Sequence, residues 1–409
     1  MFWYSSDPEP ARQQPRPPHS RRVAGAVGAA TALLVVTSCS SGTAVSTGSD
    51  SFAQAISANA SAVHGAPIKK TTAAAKAFLA TLDAEQKNTV LFDWTDQEQK
   101  QRWSNFPYGV FPRAGLKWGD LSTTQQNAWL AIMKASLSHE GYKRVLAEWN
   151  ADDANATETG QSNLFGKKYY YIALIGNPST TGPWMWQFGG HHVTVNAAVT
   201  GGRISLTPSF IGDQPASYTD AGGKTVRPLG DIEDQAFALV GSLDTAQKEK
   251  AVLGDTPIDL VLGPGEDGKT IAPEGLRLSE MTAHQRAAAL KVIRHYTGLV
   301  DDADAAARMR EVKSALRRTY FAWYGPTTPG SAAYFRFTGP TLVIEYSPQG
   351  AGRPGGGGPG GGTPSPTPSG TPSSPPQDQA GTPINNATTD HIHGIYRDPT
   401  NEYGDKYAS

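Results

Sequence analysis

Residues 193–207 read VTVNAAVTGGRISLT, an apolar–polar alternation broken by a Gly-Gly pair. A period of two over this length is the signature of a half-buried strand, and two such runs joined by two glycines form a tight hairpin. Pairing Thr200 with Arg203 across a two-residue turn fixes every side chain. His191, Val193, Val195, Ala197, Val199, Ile204 and Leu206 share one face. His192, Thr194, Asn196, Ala198, Arg203, Ser205 and Thr207 share the other. The first face is apolar apart from His191, so His191 reads as a hydrogen-bonded core histidine. The second face can line a cleft or meet water.

AYFRFTGPTLVIEYS, residues 333–347, reads as a second hairpin with Gly339-Pro340 as its turn and Thr338 opposite Thr341. Phe335, Phe337, Leu342 and Ile344 then form a greasy face, and Tyr334, Arg336, Val343 and Glu345 a functional one. Helical spacing dominates elsewhere. Ala73, Ala74, Phe78, Leu79 and Leu82 recur at that period from Lys69 onward, and Ser122 can cap a helix carrying Ala128, Trp129, Ile132, Met133 and Leu137. Further helices are expected at Ile232 to Leu243, Thr282 to Tyr296 and Ala303 to Phe321. The order helices, strands, helices, strands favours an α+β fold with an antiparallel sheet over a doubly wound parallel one. No G-x-G-x-x-G or P-loop occurs, so no nucleotide cofactor is expected. The segment Gly263 to Gly268, GPGEDG, reads as a turn. An aromatic loop with Phe106, Tyr108, Phe111 and Trp118 either packs the core or walls a pocket.

Charge is almost balanced, 36 Lys+Arg against 37 Asp+Glu, with no basic stripe, which argues against a nucleic-acid partner. The single cysteine, Cys39, excludes an internal disulfide and paired-cysteine zinc. It follows a polar, arginine-bearing start and the apolar run VAGAVGAATALLVV, Val23 to Val36, of signal-peptide length and too short for a comfortable span. The junction VTSC resembles the lipobox of bacterial lipoproteins, whose cysteine is acylated and becomes the first residue of the mature chain. That resemblance implies residues 1–38 as signal peptide, 39–66 as a lipid-anchored tether, and residence on the extracytoplasmic face of the bacterial membrane.

The main α+β domain is expected over 67–349. Residues 350–383 are a Gly/Pro/Ser/Thr linker with nothing apolar to offset the entropy of ordering. After it come DHIHGIYRDPTNEYGDKYAS, Asp390 to Ser409, expected to fold back so that 384–409 completes the domain. On an extended strand, residues two apart share a side, so His391 and His393 present two imidazoles together. With His192 and Glu345 on the polar hairpin faces, three histidines and a carboxylate can converge on one divalent ion, with His191 as an alternative ligand. Such a set suits zinc, or iron, copper or manganese. Glu345 can instead serve as general base, and Arg336 can orient an anionic substrate; the two can equally be only a cross-strand ion pair. Arg397 and Asp398 read as pins for the tail.

Five stretches occur in order: WMWQFGGHHVTVN (184–196), LTPSFIGDQP (206–215), FAWYG (321–325), GPTLVIEY (339–346) and HIHGIYRDPTNEYG (391–404). Together they resemble the bacterial family called domain of unknown function 3500, over most of the chain from about residue 70. The resemblance implies an exported protein with these motifs in one domain, and no activity. In that family the Glu-Tyr strand and the H-I-H segment tend to lie closer together than they do here. Three functions remain in view. One is a metal-dependent enzyme of the cell envelope acting on a small-molecule or envelope substrate, a hydrolase ahead of an oxidoreductase. Another is a lipid-anchored binder of ligand or metal whose pocket uses Trp184, Trp186, Asn196 and the 106–118 loop. The last is a structural module whose histidines only stabilise the fold.

Overall fold

The structure, a computed structural model, describes residues 49–350 and 380–408, with side chains from residue 65. The expected signal peptide, Cys39 and almost all of the low-complexity linker lie outside the described residues.

The chain runs through α1 (Ser49–Ala80), α2 (Ala84–Val90), β1 (Leu91–Phe92), α3 (Gln97–Gln101), β2 (Leu116–Lys117), α4 (Thr123–Ser136) and α5 (His139–Thr159). It continues with β3 (Tyr171–Ile175), β4 (Trp184–Gly189), β5 (Val193–Thr200), β6 (Arg203–Ser205), β7 (Ser209–Asp213) and a small two-stranded pair, β8 (Tyr218–Thr219) and β9 (Thr225–Val226). Then come α6 (Gly230–Gly241), α7 (Thr245–Ala251), β10 (Val252–Gly254), β11 (Leu276–Arg277), α8 (Ala283–Thr297) and α9 (Asp302–Ser314). The last strands are β12 (Tyr320–Tyr324), β13 (Tyr334–Gly339), β14 (Leu342–Gly350) and β15 (Ala387–Arg397).

The second series repeats the first. The long path of the main sheet is β1-β3-β4-β5-β7-β15-β14-β13-β12-β10, which reads as the same arrangement from either end. Its outermost pairs, β1–β3 and β10–β12, are the parallel ones; the rest pair antiparallel. The centre of the repeat falls where Ser209 of β7 lies opposite Tyr396 of β15. Outside the sheet, Leu137 and Val300 meet in an isolated antiparallel bridge, each just past the end of α4 or α8.

Local chemistry explains why both halves fold alike. Ser122 and Thr282 cap α4 and α8 with reciprocal boxes to Gln125 and Gln285, and Asp83 and Asp244 do the same for α2 and α7 with Gln86 and Gln247. The box glutamines then join the helices: Gln125 Nε2 donates to Gln86 Oε1 at 2.7 Å and Gln285 Nε2 to Gln247 Oε1 at 2.8 Å. Gly115 and Gly275 take φ of 100° and 95°, where a Cβ would overlap the carbonyl oxygens of Ile172 and Phe321.

The fold is α+β, with helices packed on one sheet face and loops on the other. Trp129, Trp149, Trp184, Trp186, Phe321, Trp323 and Phe335 belong to the larger core under the helices. Ala173, Met185, Ala198, Phe210 and Ile395 face the other way, beneath Trp103, Leu260 and Tyr403.

Three expectations are corrected. The sheet is mixed rather than purely antiparallel, because the short edge strands β1 and β10 follow directly on α2 and α7. In the second hairpin Gly339 pairs with Leu342, so the turn is Pro340-Thr341. The shift moves the register by two, so the faces stand as expected. The helix expected to reach Phe321 ends at Ser314, since the aromatic run from Tyr320 pairs with β13 and strand packing overrides helical spacing.

Candidate metal centre

β15 comes last in the chain and lies in the middle of the sheet, hydrogen-bonded to β14 on one side and β7 on the other. His393 sits opposite Gly212 of β7 and Ser347 of β14. Alternation puts His391 and His393 on the loop-covered face, with Ile392 in the helical core between them. His192 ends the turn between β4 and β5. Its backbone N–H donates to the Tyr170 hydroxyl at 3.3 Å, and Gly190 leaves the space against which the Tyr170 ring packs.

The three Nε2 atoms converge. That of His391 lies 3.1 Å from His192 Nε2 and 3.1 Å from His393 Nε2. Ligand nitrogens at about 2.0–2.1 Å from a tetrahedral zinc are about 3.3–3.4 Å apart, so the three atoms have the spacing of ligands to one ion. His192 is fully buried and His393 nearly so, while His391 is partly open to solvent. Burial, helped by neighbouring imidazoles, holds His192 and His393 well below the ordinary histidine range and brings His391 down to about 3. The imidazoles are therefore neutral at physiological pH, the form that coordinates metal.

Around the triad, Phe210 meets the His393 ring edge-on at 5.2 Å and Asn105 Nδ2 lies 3.5 Å from His393 Nδ1. His191 stacks on His192 with ring centres 3.5 Å apart, and its Nδ1 lies 2.8 Å from Asp152 Oδ1. Asp152, His191 and His192 form a second group within range of a common ion, sharing His192 with the first. Arg113 braces the turn by donating to the carbonyls of Ser104, Phe106 and Gly190.

Glu345 is not brought into this centre. Its carboxylate accepts from the backbone N–H groups of Val261 and Leu262, each at 2.8 Å, and from the Tyr334 hydroxyl at 2.6 Å. That occupies it as a structural anchor for the loop over the sheet, which leaves it neither ligand nor base. Arg336 stands directly opposite Glu345 but pairs with Glu274 at 3.1 Å. Trp184 and Trp186 point into the helical core, where their indole N–H groups donate to Ser179 O and Ser136 Oγ. They wall no pocket with the histidines. Asn196 shares the face of His192 but is sealed between Gln187 and Pro208 O. Of the aromatic loop, Trp118 packs the core against Trp149, and Tyr108 stacks on Tyr169. The tail is held where Arg397 donates to Leu262 O and Gly263 O and pairs with Asp267 and Glu402; Asp398 pairs with Arg308. Gly263 to Gly268 thus acts as the turn that receives the tail.

Sequence reasoning passed over Asp152, Tyr170, Arg113 and Asn105. The available signal was Glu148, Asp152 and Asn155, polar residues at helical spacing on the stripe that α5 buries.

A family model described as "Protein of unknown function (DUF3500)" matches residues 64–405, and the chain belongs to that family. No curated protein and no solved structure matches it.

Proposed function

We propose that this member of the family is a metalloprotein of the cell envelope that holds one divalent ion on His192, His391 and His393 and uses it in hydrolysis. The observation that carries this reading is the meeting of three neutral Nε2 atoms at 3.1 Å steps, from segments 199 residues apart in the chain. Held by three histidines, a zinc-like ion would keep a coordination position for water and would supply Lewis acidity near neutral pH. Hydrolysis is favoured over redox chemistry because this donor set with an open position is the one used by catalytic zinc. The partly open His391 gives the side from which a substrate enters. His191, fixed at Nδ1 by Asp152 and stacked on His192, is the group placed to take up a proton beside the ion.

The test is elemental analysis of the purified chain beside a His391→Ala/His393→Ala variant, followed by ester, phosphate and peptide hydrolysis panels. About one equivalent of metal in the parent, none in the variant, and turnover lost with the metal are expected. Equal metal content in the two overturns the site. Metal without turnover on any panel assigns the centre to capture rather than catalysis.

The same reading places the chain outside the cytoplasmic membrane, anchored by a lipid on Cys39. Its support is the sole cysteine directly after an export-length apolar run. Among the described residues no helix is long and apolar enough to cross a membrane. Cys39→Ala is expected to move the protein from the membrane to the soluble fraction; a variant that stays with the membrane counts against the anchor.

A further inference from the structure

The second half of the chain contains a cleft of about 510 Å³ beside the β13–β14 turn. Thr338, Gly339, Val343 and Tyr320 line it, together with Arg277, Arg317 and Arg318, and no carboxylate does. All three arginines are exposed, and among the described residues none is in an ion pair. Arg277 is held in place: its Nε donates to the Tyr320 hydroxyl at 2.6 Å and its guanidinium lies over that ring. Thr338 is 2% exposed, yet its hydroxyl has no hydrogen-bond partner among the described residues. A buried hydroxyl left unpaired costs stability, a cost that a ligand in the cleft would remove.

The internal repeat explains why the cleft is open. In the first half Arg113, two residues before Gly115, reaches the carbonyl of Gly190 at 2.9 Å and fills the corresponding corner. In the second half, Pro273 stands two residues before Gly275 and Gly339 takes the place of Gly190. Proline has no side chain that can span the gap, so the corner that a half-buried arginine plugs in one half is a solvent-accessible hollow in the other.

We propose that this cleft is a binding site for a ligand carrying a phosphate group. Guanidinium forks match phosphate oxygens in geometry and charge, and a phosphate has acceptors enough to engage several arginines and the Thr338 hydroxyl at once. The site shares no residue with the histidine centre and stands or falls independently of it.

The test is calorimetric titration of inorganic pyrophosphate into the full chain carrying Cys39→Ala and His391→Ala/His393→Ala, which removes phosphate bound to metal from the reading. Saturable binding is expected, weakening as salt rises. Arg317→Ala/Arg318→Ala should weaken it at least tenfold and Thr338→Val severalfold, with the unfolding midpoint of the arginine variant unchanged. A parallel arm measures co-sedimentation with phosphatidylglycerol and phosphatidylcholine vesicles. Arginine-dependent binding to pyrophosphate identifies a soluble phosphate compound. Silence towards pyrophosphate with arginine-dependent binding to the anionic vesicles identifies a lipid headgroup. Absence of binding in both arms, or binding undiminished in the arginine variant, overturns the proposal.

Discussion

His192 and His391 bring their Nε2 atoms to 3.1 Å although 199 residues separate them in the chain. One belongs to a turn of the first half, and the other to the strand that closes the second half against it. The candidate centre is therefore a property of the assembled sheet.

Metal removal should be visible in stability. An ion bound only by the folded chain stabilises it by mass action, about 2.7 kcal/mol at a hundredfold excess over Kd. Chelator treatment of metal-loaded protein should lower the midpoint of thermal unfolding by several degrees, and the His391→Ala/His393→Ala variant should show no chelator effect. An equal shift in both would place the stabilising ion elsewhere.

Glu345→Ala should separate structure from metal binding. It strips the acceptor from two backbone N–H groups and the Tyr334 hydroxyl in a dry interior. Denaturant unfolding should show a loss of about 2–4 kcal/mol, while metal content per folded molecule stays unchanged. Loss of metal without loss of stability would restore Glu345 to the coordination sphere.

Stability should fall as pH rises through the neutral range. Burial lifts Asp213 to about 8, against about 4 for the unfolded chain. Between those values the folded state retains a proton that the unfolded state has released, so unfolding gains ground with each unit of pH, by up to about 1.4 kcal/mol for such a group. Glu148, also lifted well above its ordinary range by burial, adds in the same direction. Asp213→Asn should reduce the slope of stability between pH 5 and pH 8 in denaturant titrations; an unchanged slope would show that Asp213 does not carry it.

The repeat can be tested at its two tightest points. Gly115→Ala and Gly275→Ala each combine a left-handed backbone with a Cβ driven into a neighbouring strand's carbonyl. Both should be destabilised by several kcal/mol and to a similar extent in thermal unfolding. A variant that tolerates the change would show that its half lacks the tight approach of the other.

Much of this was legible in the sequence where local rules are strong. Gly201-Gly202 set the first hairpin with Thr200 opposite Arg203 as expected, and alternation alone put His391 and His393 on one side. The polar face carrying His192 followed from the same period, while the return of the tail was expected from its chemistry after the linker and is seen as β15 between β7 and β14. Glu345 was assigned to the right face and the wrong chemistry, because its partners Val261 and Leu262 sit in a loop that no period places. The duplication was missed for a related reason. GLKWGDLSTTQQNA (115–128) and GLRLSEMTAHQRAA (275–288) share glycine, leucine, cap and glutamine positions. The paired strands differ in chemistry: Gln187 and Asn196 face each other in one half, Arg336 and Glu345 in the other. The two halves preserve backbone geometry while their side chains have been put to different uses.

The place of β15 bears on how such a chain is made. Translation delivers β15 after β7 and β14, and until it arrives each of these two strands presents an unpaired rim of backbone donors and acceptors. A nascent or partly threaded chain thus has two sticky seams and no finished interior. Closure of the sheet waits for β15, which brings His391 and His393 with it, so the joining of the two halves and the gathering of the three imidazoles are a single event.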